Sequence, residues 1–403
     1  MSAQTQSEPS GPLKGVRVLD FSGFIAGCYA AQMLGEYGAT VIKVEHVQGD
    51  GARHWGPFLK GESQFFQNWN RNKRGIAVDL TTHEGRNVIH TLAKEADVVV
   101  ENFRLGVTDR LGISYDDLSA HNDRLIYCSI TGFGVVGPMA SRPGYDPILQ
   151  SLSGAVYNAE RYCGTKALNS VAFSDYGAAM LAYGSITAAL YHREQTGKGQ
   201  VIRTSLLQSA MAMQSHMYCE PHDAEPEPPF GIYPYKLFET KDSLVFIAGP
   251  TDKFWGILCD AIGLPELADS PYKTNADRVT HAEELTDRLT PVFKSKSTDE
   301  WEAQLVERGF PCGPARTFDE CFAHPQVDAL SMRATVDHSS IGKVDGPGVT
   351  VHFGETPGSI HSAAPLLGEH THEVLVEAGY SKDDVLGLQN AGVISVPPSI
   401  DDQ

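Results

Sequence analysis

Along the first half of the chain, short apolar runs alternate with stretches whose apolar residues recur every three or four positions. Val16-Arg17-Val18-Leu19-Asp20-Phe21 reads as a short buried strand, Ala26 to Tyr37 has the apolar spacing of a helix, and Thr40-Val41-Ile42-Lys43-Val44 is a second β-rich run. Together they predict a βαβ unit, with Gly38 at the helix end where glycine takes the left-handed conformation without strain. The alternation continues through Gly75 to Leu80, a helical stretch at 83–95, Asp97 to Val100, a helical patch near 114–120 and Arg124 to Ile130. Strands separated by helices predict a mainly parallel sheet covered on both faces.

From Asp175 to His192 the chain reads as a helix rich in Gly and Ala, ended by Gly197-Lys198-Gly199-Gln200 and followed by the strand-like Val201 to Ser205. Met211, Met213 and Met217 then form a packing stripe on the next helix. Further on, 252–262 and 298–308 read as helices, 332–360 as β-like and Gly-rich, and 372–378 as a final helix. A chain of 403 residues exceeds what one compact core usually holds. The expected division is a disordered tail at 1–12, a large domain at 13–224, a smaller α/β domain at 225–330, and a return to the large domain at 331–403. The acidic, Pro-rich stretch from Glu220 to Pro229 reads as a linker or exposed loop.

A net charge of −18 argues against nucleic-acid and anionic-membrane partners, since both need an excess of Lys and Arg. An anionic ligand must therefore be held by a local basic cluster. No apolar stretch approaches the length that spans a bilayer, and the start of the chain has no secretory apolar region. Seven cysteines without a C-x-x-C pair fit reduced thiols in the cytoplasm. His370 and His372 do not have convincing metal-ligand spacing, so no metal is expected. The first turn, Ser22-Gly23-Phe24-Ile25-Ala26-Gly27, lacks the full G-x-G-x-x-G spacing, which makes NAD a weak reading.

The basic residues cluster in two places. Arg71, Lys73 and Arg74 precede one strand, and Arg104 and Arg110 follow another strand's Asn102-Phe103. Brought to one edge of the sheet, they would suit a phosphorylated ligand, with Phe103 available to stack on a purine. Each alone also fits a solvated charge at an element's end.

Several phrases recur in family order: Val41-Ile42-Lys43-Val44-Glu45, Asn70 to Gly75, Asp97 to Arg104, Gly144-Tyr145-Asp146 with Gln150, Gly309 to Pro314, and Ala364 to Thr371. With them the chain resembles the class III (CaiB/BaiF) CoA-transferases over nearly its whole length. The resemblance implies a Rossmann-like large domain built from N- and C-terminal parts, a smaller α/β domain, and two subunits interlocked like chain links. It implies a CoA thioester as substrate, no permanently bound cofactor, and CoA contacts from Lys73, Arg74, Leu80, Asn102, Phe103, Arg104 and Arg110. Family chemistry, as the resemblance implies it, begins with an aspartate carboxylate attacking an acyl-CoA thioester. The mixed anhydride becomes an enzyme aspartyl-CoA thioester, from which a second acid takes the CoA.

Laid against the family from Gln150 to Asp175 without insertion, this chain has Cys163 at the nucleophile's position. An acyl-cysteine is itself a thioester and cannot carry CoA onward as an aspartyl thioester does. Glu160 could replace the aspartate only if the loop shifted, and catalytic geometry tolerates little displacement. Other departures are His46 for a basic residue, Thr131 for a lysine, and Cys28 for a proline. Acyl-CoA racemases of the same superfamily match at Asp175 but use a histidine where Tyr145 stands. Asp146 and Asp175 read better as caps or pocket-shaping acids. The expectation is therefore a non-catalytic subunit that pairs with a paralogous catalytic CoA-transferase subunit, as in succinyl-CoA:benzylsuccinate CoA-transferase of anaerobic toluene breakdown. The alternative is a self-sufficient homodimer using Glu160 or another carboxylate.

Overall fold

The computed structural model describes residues 10–218 and 231–397, with the backbone alone for 161–163. Most of the expected N-terminal tail and the linker stretch 220–229 lie outside the described residues. In chain order the first part carries β1 (Arg17–Asp20), α1 (Ala26–Glu36), β2 (Thr40–Glu45), a small hairpin β3 (Phe58–Leu59) and β4 (Glu62–Ser63), α2 (Gln64–Trp69), β5 (Lys73–Val78), α3 (His83–Ala93) and β6 (Val98–Glu101). Then come α4 (Val107–Leu111), α5 (Tyr115–Ser119), β7 (Ile126–Thr131), α6 (Asp146–Leu152), α7 (Ala155–Cys163), α8 (Phe173–Thr196), β8 (Val201–Ser205) and α9 (Leu206–Met213). The chain divides into two compact units at 219/220 and 328/329.

The smaller unit holds β9 (Tyr235–Glu239), β10 (Leu244–Ala248), α10 (Asp252–Ile262), α11 (Asn275–Thr280), α12 (Ala282–Phe293), α13 (Thr298–Glu307), β11 (Cys312–Pro314), α14 (Phe318–Phe322) and most of α15 (Pro325–Ala329). Its three antiparallel strands pack with these helices around Trp255, Leu258, Leu289, Phe293 and Trp301. The chain then returns to the larger unit with β12 (Arg333–His338), β13 (Gly342–Pro347), α16 (Thr371–Glu377), α17 (Lys382–Asn390) and β14 (Ile394–Ser395).

Seven strands form the central sheet in the order β14-β5-β2-β1-β6-β7-β8, all parallel except β14. Period-two alternation assigns each strand residue to a layer. Val18, Val41, Val98, Val100, Ile126 and Cys128 face α1 and α8, where small residues such as Ala30, Ala31, Ala178 and Ala182 allow close approach. Leu19, Val44, Ile76, Val99 and Tyr127 face the other way, onto α3, α16 and α17. No helix among the described residues is long and apolar enough to cross a membrane.

The C-terminal part departs from the expected pattern. Only 333–347 of the β-like stretch pairs, as the β12–β13 hairpin. The helix at 371–377 is not the last, because a Ser381-Asp384 capping box starts α17. The closing β14 is a two-residue antiparallel edge, too short to show a period.

This segment completes the outer edge of β5, which would otherwise expose a row of unpaired amides. His370 N–H donates to the Gly75 carbonyl (2.9 Å) and Gly75 N–H to His370 Nδ1 (3.2 Å). Thr371, fully buried, accepts from Ala77 N–H (3.1 Å) and donates to the Ser395 carbonyl (2.9 Å). Thr371→Val leaves both backbone groups unpaired in the core, with an expected loss of about 2 kcal/mol. A lowered urea midpoint checks this, and Thr371→Ser should retain most of the stability.

Candidate functional site

Strand order reverses at β1, so the β1–α1 turn and the end of β6 face each other across the crevice where open α/β sheets take ligands. The turn is held from three sides. Asn102, just past β6, accepts from Gly23 N–H (2.8 Å) and donates to the Gly23 carbonyl (2.7 Å). Phe24 stands in the left-handed region with φ of 58°, a conformation that bulky residues rarely adopt. Its N–H donates to Asp50, and its ring packs edge-to-face on Trp55 at 4.9 Å. Trp55 remains 52% exposed, which makes the pair an aromatic wall at the mouth of the turn.

The third support comes from below. The Lys43 ammonium donates to the Ser22 carbonyl, to Cys28 Sγ (3.3 Å) and to Asp50 Oδ2 (3.0 Å). Burial pulls its pKa down, but Cys28, Asp50, Asp20 and Glu45 together hold it well above the ordinary lysine value. Burial likewise opposes ionisation of Asp50, yet Lys43 and the Ala52 and Phe24 amides keep its carboxyl below the usual range. Cys28 is fully buried, and burial pushes its thiol up to about 11 against the pull of Lys43 and Lys73. This is an inert structural thiol.

Lys73, one of the expected CoA contacts, is 2% exposed, and its ammonium donates to Asp20 Oδ2 (2.8 Å), the Cys28 carbonyl (2.8 Å) and Asn70 Oδ1 (2.9 Å). Arg71 precedes β5 and Arg74 stands at its start, whereas Arg104 and Arg110 follow β6, so in this parallel sheet their backbones lie at opposite edges. Arg74 instead pairs with Glu377 (2.7 Å) and Glu373 (2.9 Å) on α16, and Arg71 pairs with Glu36 (2.6 Å).

Leu80 packs in the apolar core past the end of β5. Phe103 is half-buried against the same core, and its N–H donates to Glu101 Oε2 (2.8 Å). Burial raises that buried carboxyl to about 7, against the stabilising Ser129 and Phe103 donors. Arg104 and Arg110 are exposed and have no ion-pair partner among the described residues. Both follow β6, Arg110 on α4.

The α6–α8 segment is strapped at both ends. Asp146 accepts from Ser174 N–H (2.9 Å), Ser174 Oγ (2.5 Å) and Gln150 Nε2 (2.5 Å). Gln150 also accepts from Asn169 N–H (2.8 Å) and donates to its carbonyl (3.1 Å). Residues 164–172, between α7 and α8, are thus tied to α6. Cys163 ends α7, before the left-handed Gly164, and its side chain lies outside the described residues. Glu160 is exposed, with Lys166 Nζ at 3.7 Å. Asp175 accepts from Ala26 N–H at the start of α1, while burial and then neighbouring Asp146 raise its carboxyl to about 7.

Phe24, Trp55 and the Lys43–Asp50 pair escaped the sequence reading. One signal was available, a lysine inside the otherwise apolar run Val41 to Val44, where charge is rarely buried unless paired. Among the described residues no three His, Cys, Asp or Glu side chains gather as a metal site.

Comparison with known proteins agrees with this architecture. Residues 13–371 match the model of CoA-transferase family III. Human succinyl-CoA:glutarate CoA-transferase is 36% identical over 393 residues, covering 95% of this chain and 90% of that protein. The succinyl-CoA–L-malate CoA-transferase beta subunit of Chloroflexus aurantiacus is 34% identical over 406 residues, covering 95% and 98%. The crystal structure of a CaiB/BaiF family protein from Brucella suis superposes with a TM-score of 0.80 at 35% identity, covering 92% of this chain and all of that one. With the family match spanning most of its length and the fold shared, the chain belongs to CoA-transferase family III.

Proposed function

We propose that this chain takes part in moving CoA from an acyl-CoA, succinyl-CoA first among the donors, to a short dicarboxylic acid. It acts as the subunit without the nucleophile, interlocked with a catalytic paralogue in the cytoplasm. The observation that supports the CoA part is that Arg104 and Arg110, exposed and without an ion pair among the described residues, follow β6 on the same stretch of chain as half-buried Phe103, past the strand end that borders the β1–β6 crevice. Guanidinium suits phosphate geometry, and an aromatic ring suits a purine.

The subunit part rests on register. Gln150 and Asp175 bracket a segment whose residue 163 is cysteine, and both bracketing side chains are anchored. The human relative's name pairs succinyl-CoA with glutarate, and the Chloroflexus relative is named as one subunit of a malate enzyme. These names favour short dicarboxylates over benzylsuccinate as the first acceptors to test. Support for a partner comes from large apolar side chains left exposed on α6 to α9, among them Ile148, Tyr157, Met180, Tyr191 and Met213. The second reading, a homodimer using Glu160, draws only on that residue's exposure and nearness to α7's end.

Two measurements separate these readings. The purified chain alone, given succinyl-CoA and glutarate or malate, should show no turnover and no hydroxylamine-trapped adduct by mass spectrometry. Turnover should appear when a catalytic paralogue is added, and Cys163→Asp should give partial activity to the chain alone while Glu160→Gln changes nothing. An adduct on Glu160, or activity lost with Glu160→Gln, would establish the homodimer.

CoA binding followed by calorimetry tests the crevice independently. Arg104→Gln and Arg110→Gln should each weaken CoA by about tenfold, the loss of roughly 1.4 kcal/mol of charge-assisted bonding. Arg74→Gln, at the other edge of the sheet, should leave CoA affinity within about twofold, since it removes no phosphate contact. Equal losses for all three variants would refute the assignment of edges.

A further inference from the structure

At the opposite edge of the sheet from the crevice, a cavity of about 570 Å³ opens among the starts of β2 and β5, the β12–β13 turn and the 361–373 segment. Its size is that of a small-molecule site. Three histidines line it, His338 from the end of β12 and His361 and His370 from the 361–373 segment, together with Arg74. His338 is already committed, accepting at Nδ1 from Ser340 N–H (3.1 Å) and facing Gln67 through Nε2 (3.1 Å).

The other nitrogens are not. Among the described residues, buried His361 Nδ1 has no hydrogen-bond partner. Arg74 Nε, also buried, has none among them either, although the outer nitrogens of the guanidinium hold Glu373 and Glu377. His370 accepts from Gly75 N–H at Nδ1, which places the neutral ring's proton on Nε2, without a partner among the described residues.

The carboxylates around the cavity are in the reverse state. Glu369 accepts from Leu366 N–H (2.7 Å), Glu373 sits on Arg74 (2.9 Å), and Asp337 faces Lys343 at 3.4 Å. Acids on the wall are therefore engaged, while nitrogens of Arg74, His361 and His370 are left over among the described residues. A buried N–H without an acceptor is destabilising, which an arriving oxygen acceptor would relieve.

We infer that this cavity is a binding site for a small anion that presents carboxylate or phosphate oxygens to Arg74 Nε, His370 Nε2 and the His361 ring. The site is separate from the crevice, because its walls come from the ends where β2 and β5 begin. It does not depend on which acids the protein handles. Succinate and inorganic phosphate represent the two sources of such oxygens.

The test titrates each anion into the full chain while following the histidine ring resonances by NMR, with calorimetry for affinity. Either anion, at millimolar concentration, should shift His361 and His370 and leave the exposed His192 and His372 unmoved. His361→Phe keeps the ring and removes its nitrogens, and should weaken binding at least tenfold, about 1.4 kcal/mol. Ala363→Leu fills the cavity from its wall without touching a nitrogen and should weaken binding as much. Both variants should bind CoA as the parent does. The inference fails if neither anion moves these resonances, or if affinity survives both variants. It also fails if the resonances respond to dilution of an oligomer and not to anion, since the cavity would then hold a second copy's chain.

Discussion

Lys73 reaches from the start of β5 across β2 to Asp20 at the end of β1, beneath the first turn of α1. Lys43, in β2 and in register with Asp20, lies between them and reaches Ser22, Cys28 and Asp50. Two ammonium groups and two carboxylates are thus taken out of water within one small region. Such pairs return little net stability, because desolvation consumes most of the Coulombic gain. Breaking one is different, since the remaining charge has no water and no partner. The consequence is geometric: β1, β2, β5 and the start of α1 can move only together.

That rigidity explains how the turn above can hold an unfavourable backbone. Phe24 in the left-handed region costs on the order of 1–3 kcal/mol, and such a residue persists only where its surroundings over-determine it. Here they do. Gly23 is fixed by both polar groups of Asn102, the Phe24 amide is fixed by Asp50, and Asp50 is fixed by Lys43. The Asn102 amide is therefore already engaged on the backbone of the turn it clamps. The same reasoning assigns Lys73 to the scaffold, whereas Arg104 and Arg110 are exposed and without an ion pair among the described residues.

The sheet was legible because buried parallel strands are continuous apolar runs and their crossover helices have a different period. Val98-Val99-Val100 and the small-residue helix from Asp175 onward could hardly read otherwise. The site was less legible for a reason that concerns polarity along the strand. Lys73 and Arg74 are close in sequence character to Arg104 and Arg110, but one pair begins its strand and the other follows its strand. In a parallel sheet those positions lie at opposite edges. The distinction between a ligand-facing lysine and a core lysine is also tertiary, since it depends on whether Asp20, Asn70 and a carbonyl happen to surround the ammonium. The C-terminal β14 was invisible because two residues carry no period, and α17 could have been found from the Ser381-to-Asp384 spacing alone.

The frame around residue 163 bears on the chemistry. Asp146 and Gln150 do not point their polar groups into open space; they tie Ser174 and Asn169 to α6. Asp175, pressed toward neutrality by burial and by Asp146, accepts from the first amide of α1 and so couples α8 to the same turn that Lys43 supports. A loop held at both ends fixes where its side chains can reach, which is the condition covalent catalysis demands of a nucleophile. The segment on either side of residue 163 is therefore anchored, and the residue itself is a cysteine. Cysteine can be acylated, but it cannot form the anhydride through which a carboxylate passes CoA to a second acid. Under the function proposed above, this frame would be kept while the reacting carboxyl is replaced, and such a subunit would shape a site without performing its covalent step.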